Sequence, residues 1–155
     1  MGKNIKQNLF FLKEEFAEGE GTYISPKGKK YMGKWQKGKR NGKGVITNPD
    51  GLRLEGTFVN DELEGKAICT WPDGDRYVGE FKNGEKHGQG IYVFSDGTEY
   101  DGAWQDGSKN GHGIFIFNNG EKLETFTSLA FCSKLNPTLL KSIFSFFTNS
   151  ELLST

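Results

Sequence analysis

The chain has 155 residues, of which 34% are hydrophobic, with 22 glycines and a formal net charge of zero. That apolar content is thin for a packed globular core, and no apolar run reaches the ~18 residues a transmembrane helix needs. Cys69 and Cys132 lie in no disulfide or metal-ligand spacing, so a reducing, cytoplasmic setting fits better than a secreted one.

Residues 1–7 form a short polar tail. Met1-Gly2 opens like a myristoylation signal, but Lys6 stands where Ser or Thr is required. The apolar stretch that follows, Leu9 to Leu12, is too short for a secretory leader. From residue 8 a period of 23 residues takes over, and twenty-one of the glycines fall into five columns of it. Self-similarity at a short fixed period marks a repeat architecture, in which each unit is stabilised by its neighbours. A worn unit at 8–30 keeps Gly19, Gly21, Pro26 and Gly28 but carries Asn8, Phe10 and Leu12 in its first columns. Four full units follow at 31–53, 54–76, 77–99 and 100–122, opened by Tyr31, Leu54, Tyr77 and Tyr100. A stub at 123–126 ends the array, with Thr125 in a glycine column.

Each full unit has the same internal logic. In Tyr31-Met32-Gly33-Lys34-Trp35 a strand places Tyr31, Gly33 and Trp35 on one face. The polar stretch Gln36 to Gly42 has turn chemistry. A second short strand follows, in the columns Val45/Ile68/Ile91/Ile114 and Ile46/Cys69/Tyr92/Phe115, where β-branched and aromatic residues suit a pleated surface. Asn48-Pro49-Asp50-Gly51 and its copies then close the unit with a turn. The expected fold is therefore all-β: one elongated, single-layer antiparallel sheet of about ten strands, built from consecutive hairpins.

The unit Tyr-x-Gly-x-Trp/Phe-x-x-Gly-x-x-x-Gly-x-Gly, an apolar run and Asp-Gly resembles the MORN (membrane occupation and recognition nexus) repeat, over roughly three quarters of the chain. The resemblance implies a scaffold that binds protein segments, self-associates, or sits near membranes and the cytoskeleton. It implies a cytoplasmic location, at the cytoskeleton or the inner face of a membrane.

A one-layer sheet has no second layer to cover its aromatic face. A row of exposed rings is therefore expected, formed by Tyr31, Trp35, Phe58, Tyr77, Phe81, Tyr100 and Trp104, with Tyr92 and Phe115 beside them. Exposed apolar patches of that kind mark interaction sites, and an amphipathic helix or a second copy is the natural occupant. The plainer alternative is that these columns only build the sheet. Charge is also unevenly spread. Residues 23–49 carry Lys27, Lys29, Lys30, Lys34, Lys37, Lys39, Arg40 and Lys43 with no acid, and residues 50–124 carry a net −8. The basic end is either a solvated surface or a site for anionic membrane lipids.

Several patterns imitate enzymes and fail. Gly33-x-x-x-x-Gly38-Lys39 lacks the Ser or Thr that a phosphate loop uses on magnesium, because Arg40 stands there. His87 and His112 occupy freely varying columns, and Asp50, Asp73 and Asp96 are periodic turn formers. No catalytic residue, metal ligand set, cofactor, nucleic-acid partner or small-molecule substrate is expected.

Residues 127–155 differ in composition. Asn136-Pro137 is a helix-start signal, and Leu139, Leu140, Ile143, Phe144 and Phe147 follow on one helical face. An amphipathic helix over about 137–148 is expected to cap the last hairpin, with a membrane surface or the groove of another copy as alternatives.

Overall fold

A computed structural model describes residues 17–127. Residues 8–16 of the worn unit and the expected helix at 137–148 lie outside the described residues. The strands are β1 (Gly19–Ile24), β2 (Lys30–Gln36), β3 (Lys39–Thr47), β4 (Arg53–Val59), β5 (Glu62–Thr70), β6 (Arg76–Lys82), β7 (Glu85–Val93), β8 (Glu99–Gln105), β9 (Ser108–Ile116) and β10 (Lys122–Thr127). They form a single antiparallel sheet in sequence order from β1 to β10. Among the described residues there is no helix.

Two kinds of turn produce this meander. At the hairpin tips, Lys37-Gly38, Asn60-Asp61, Asn83-Gly84 and Asp106-Gly107 all have positive φ at both positions. That conformation matches the twist of antiparallel strands, so a two-residue loop suffices. The turn is shorter than the polar stretch 36–42 implies, because β3 already begins at Lys39. The extra residues are absorbed as a bulge: Gly33 pairs with Gly44 but Trp35 with Arg40. The same irregularity recurs in the pairs β4/β5, β6/β7 and β8/β9. At the other edge the carboxylates of Asp50, Asp73 and Asp96 accept the N–H two residues on, at 2.8–3.1 Å.

Asp61 is the one tip without glycine, at φ 77°. Its strain is offset by Arg40, whose backbone N–H and Nε donate to Oδ1 at 2.9 and 3.0 Å. Burial would raise the Asp61 carboxyl, but these bonds outweigh it and hold the group below its ordinary value.

Candidate partner-binding face

The alternation of the strands sends the Tyr, Gly and Trp/Phe columns to one face, and there the rings lie over the glycines. Tyr77 covers Gly79 and Gly90, and a Cβ on Gly90 would sit 2.3 Å from the Tyr77 hydroxyl. Tyr31 and Tyr100 cover Gly44 and Gly113 in the same way. Each hydroxyl then donates to the carbonyl three residues on, that of Lys34, Glu80 or Ala103, at 3.0–3.1 Å. The indole of Trp104 donates to the Gly90 carbonyl at 3.0 Å. Neighbouring rings meet edge to face, Tyr77 against Phe81 at 5.3 Å and against Trp104 at 5.2 Å.

This packing corrects the expectation of a row of exposed rings. Tyr31, Phe58, Tyr77, Phe81, Tyr100 and Trp104 are 3%, 2%, 0%, 7%, 1% and 5% exposed. They cover one another, so the single layer carries its own thin core. Of the nine expected contact residues, Trp35, Tyr92 and Phe115 are partly buried and reach solvent.

Unit 54–76 shows the same space filled differently. Leu54 replaces the tyrosine, Ala67 replaces the covered glycine, and buried Leu63 takes up the remaining volume. A Cβ on Gly56 would lie 2.6 Å from Ala67 Cβ and 2.8 Å from Leu63 Cδ1. On β10 Leu123 again stands in the tyrosine column, and Thr125 stands in the Gly33/Gly56/Gly79/Gly102 column, its Oγ1 donating to the Gly113 carbonyl at 3.3 Å.

Beside the buried rings runs a second, half-buried line of aromatics. Trp71 meets Tyr92 at 5.4 Å, Tyr92 meets Phe94 at 4.7 Å, Phe94 meets Phe115 at 6.4 Å, and Phe115 meets Phe117 at 6.5 Å. Two lysines stand among them. Lys86 Nζ is 4.3 Å from the Trp104 ring and 4.9 Å from that of Tyr92. Lys109 Nζ is 4.8 Å from the Phe115 ring and 4.9 Å from that of Phe94. Burial lowers both ammonium groups, with nearby Cys69 and Asp75 partly restoring Lys86 and Lys86 further depressing Lys109. The Tyr92 hydroxyl donates to Asp75 Oδ2, and burial together with that carboxylate pushes the phenol well up.

Trp71, Phe94, Phe117, Lys86 and Lys109 were not among the expected site residues. Their signal lay in two columns, Asn48/Trp71/Phe94/Phe117 and Arg40/Leu63/Lys86/Lys109, which read as turn positions before the shortness of the tip loops is known.

The eight cations of the basic region do not converge. Lys27 and Lys29 lie in the turn before β2, and Lys37 and Lys39 lie at the opposite edge around the β2–β3 tip. Arg40 turns onto the ring-bearing face, over Phe58 at 5.1 Å. Lys30, Lys34 and Lys43 share the other face, by alternation with Tyr31 and Gly44. On that outer face a shallow groove of about 570 Å³ is lined by Met32, Val45, Glu55, Thr57, Ile68 and Val78.

Neither histidine sits in a catalytic arrangement. His87 Nδ1 is 3.8 Å from exposed Asp106, and the His112 ring packs on Phe126 at 4.8 Å. Among the described residues no group of His, Cys, Asp and Glu could hold a metal ion.

A family model described as MORN repeat matches residues 16–30, 31–53, 55–76, 77–99 and 100–122. No curated protein matches the chain. Among 32 matching chains of solved structure is the TCP domain of SAS-4 (dCPAP) of Drosophila melanogaster, in complex with a proline-rich motif of Ana2 (dSTIL). It is 16% identical over 72% of this chain and 61% of that one, with a TM-score of 0.47. The chain thus spans about three fifths of that domain's length.

Proposed function

The chain belongs to the MORN repeat family, and from that premise we propose that it is a non-catalytic scaffold holding a partner protein's segment along its ring-bearing face. The repeats are those of a protein- or membrane-interaction module. One observation carries the finer reading: the half-buried line Trp71, Tyr92, Phe94, Phe115 and Phe117 with Lys86 and Lys109 set between its rings. Its rings are already held by neighbours, so little rotamer entropy is lost on binding, and aromatic anchors dominate interface energies. The two ammonium groups are partly stripped of water, which strengthens their attraction to acidic side chains of an incoming segment. A helix with apolar anchors and acidic flanks is the matching shape.

The buried rings are the wrong place to test this, because truncating them destabilises the sheet and confounds lost binding with lost stability. Trp71→Gln with Phe94→Gln strikes the accessible line. Two anchors of this type are worth about 2 kcal/mol or more each, hence roughly a thirtyfold loss of affinity per anchor. The measurement is quantitative capture of partners from the protein's own cells by wild type and variant, with circular dichroism to show that both are folded. Equal recovery by the folded variant refutes the reading.

A further inference from the structure

The face opposite the rings has an order of its own. Cross-strand pairing aligns Met32, Val45, Ile68, Val78, Ile91 and Ile114 in one row across the sheet, interrupted by Glu55 and Asp101. Met32 is 46% and Ile91 39% exposed. An apolar row on an uncovered sheet face calls for a second layer.

The charges beside the row are divided by sequence half. By strand alternation, β1–β5 place six cations on this face: Lys30, Lys34, Lys39, Lys43, Arg53 and Lys66. Four acids accompany them, Glu20, Glu55, Glu62 and Glu64, which leaves +2. On β6–β10 the same face has Arg76, Lys82 and Lys122 against Glu80, Glu85, Glu99, Asp101 and Glu124, which leaves −2. The surface is therefore complementary to itself when reversed.

We propose that two copies of this chain stack outer face to outer face, related by a two-fold axis that runs along the strands between β5 and β6. That operation lays β1–β5 of one copy on β6–β10 of the other and makes the contact isologous. Ile68 of each copy meets Val78 of the other, and Met32 meets Ile114. Lys66 comes opposite the other copy's Glu80, and Lys43 beside its Asp101. Ile91 of each copy comes over the other's Glu55, inside the groove that Met32, Val45, Ile68 and Val78 also line, and Asp101 comes over its Val45. Ten strands at about 4.8 Å, over some 20 Å of strand length, cover roughly 850 Å² per copy, or about 1,700 Å² in total. A stable interface of standard size buries about that much. The two sheets become the layers of a sandwich whose outer surfaces carry the aromatic lines, so both partner-binding faces stay open. This inference concerns the opposite face from the proposed function, and either can fail alone.

The test uses the full chain and two charge reversals at exposed positions, Lys43→Glu with Lys66→Glu, and Glu80→Lys with Asp101→Lys. Sedimentation velocity across concentration is expected to show a wild-type dimer whose affinity falls as salt rises. Each reversal alone sets like charges against each other and is expected to weaken the dimer by about tenfold or more. An equimolar mixture of the two restores opposite charges in both halves and is expected to recover wild-type affinity as a heterodimer. Ile91→Glu, at the apolar row, gives an independent disruption, and circular dichroism checks that each variant is folded. A wild type that stays monomeric overturns the proposal, whether or not it sediments with anionic-lipid vesicles. Two single reversals that dimerise as well as wild type overturn it too, by placing the contact on another surface.

Discussion

Replacing Gly90 by alanine adds one methyl group at the most crowded point of the ring-bearing face. The position is not left-handed, so the backbone itself accepts alanine. The difficulty is Tyr77: the new Cβ would lie 2.3 Å from its hydroxyl, 2.5 Å from Cζ and 2.6 Å from Cε2. The ring cannot retreat, because Phe81 and Trp104 stand edge-on at 5.3 and 5.2 Å and the side chain is fully buried. Overpacking of this kind costs about 1–3 kcal/mol, and losing the hydroxyl's bond to the Glu80 carbonyl adds about 1 kcal/mol. A total near 3 kcal/mol lowers Tm by roughly 6–12 °C for a chain of this size. Unit 54–76 indicates the compensation, since Leu54 and Ala67 coexist there with Leu63 in the vacated space. Tyr77→Leu alone should cost about 2–4 kcal/mol as a truncation. Combined with Gly90→Ala it should cost less than the sum, by about 1 kcal/mol or more, and Lys86→Leu should improve the pair further. Urea unfolding followed by tryptophan fluorescence gives each value by linear extrapolation. Gly90→Ala within about 0.5 kcal/mol of wild type, or strictly additive costs in the pair, would refute the account of how tyrosine and glycine columns depend on each other.

Alkaline stability follows from the same burial. Burial pushes the Cys69 thiol from 9.0 to about 11 and the Tyr77 phenol from 10.0 to about 12, and Tyr31, Tyr92 and Tyr100 shift in the same direction. A group raised in the folded state contributes stability that is complete below its unfolded value and lost as pH climbs through its folded one. Lys86 and Lys109 are lowered and act oppositely, gaining stability as pH approaches 10.5, but five raised groups outnumber them. Urea midpoints measured from pH 9 to 12 should therefore fall, with tyrosinate absorbance from Tyr31, Tyr77, Tyr92 and Tyr100 appearing as the sheet unfolds; a flat midpoint contradicts this. Trp104→Phe removes the indole bond to the Gly90 carbonyl and part of the ring's volume but keeps an aromatic, as Phe58 and Phe81 do in the same column, and should cost about 1–2 kcal/mol. Trp104→Ala should cost about 3–5 kcal/mol, and equal losses for the two variants in thermal melts would deny the ring its packing role.

The period of 23 determined the hairpin order, and strand alternation determined which side chains share a face. Both are local properties, set by glycine and aspartate at the turns and by the two-residue repeat of a strand. Asp50 bonding its own backbone and Tyr31, Gly33 and Trp35 facing one way follow from the sequence alone. What the rings do once on that face does not. Exposure depends on neighbours 14 and 27 residues away, whose distance is decided by two-residue tips and recurrent bulges. Those geometries bring Trp104 and Phe81 against Tyr77 and bury the rings that composition marked as a binding row. They also carry Lys86 and Lys109 from apparent turn positions into strands among aromatics. The basic block shows the same division of labour. Eight cations adjacent in sequence point to one patch, yet a strand turns successive residues to opposite faces and a hairpin sends the chain to opposite edges. Sequence proximity along a meander therefore determines which strand a charge belongs to, and only the tertiary arrangement decides which surface it serves.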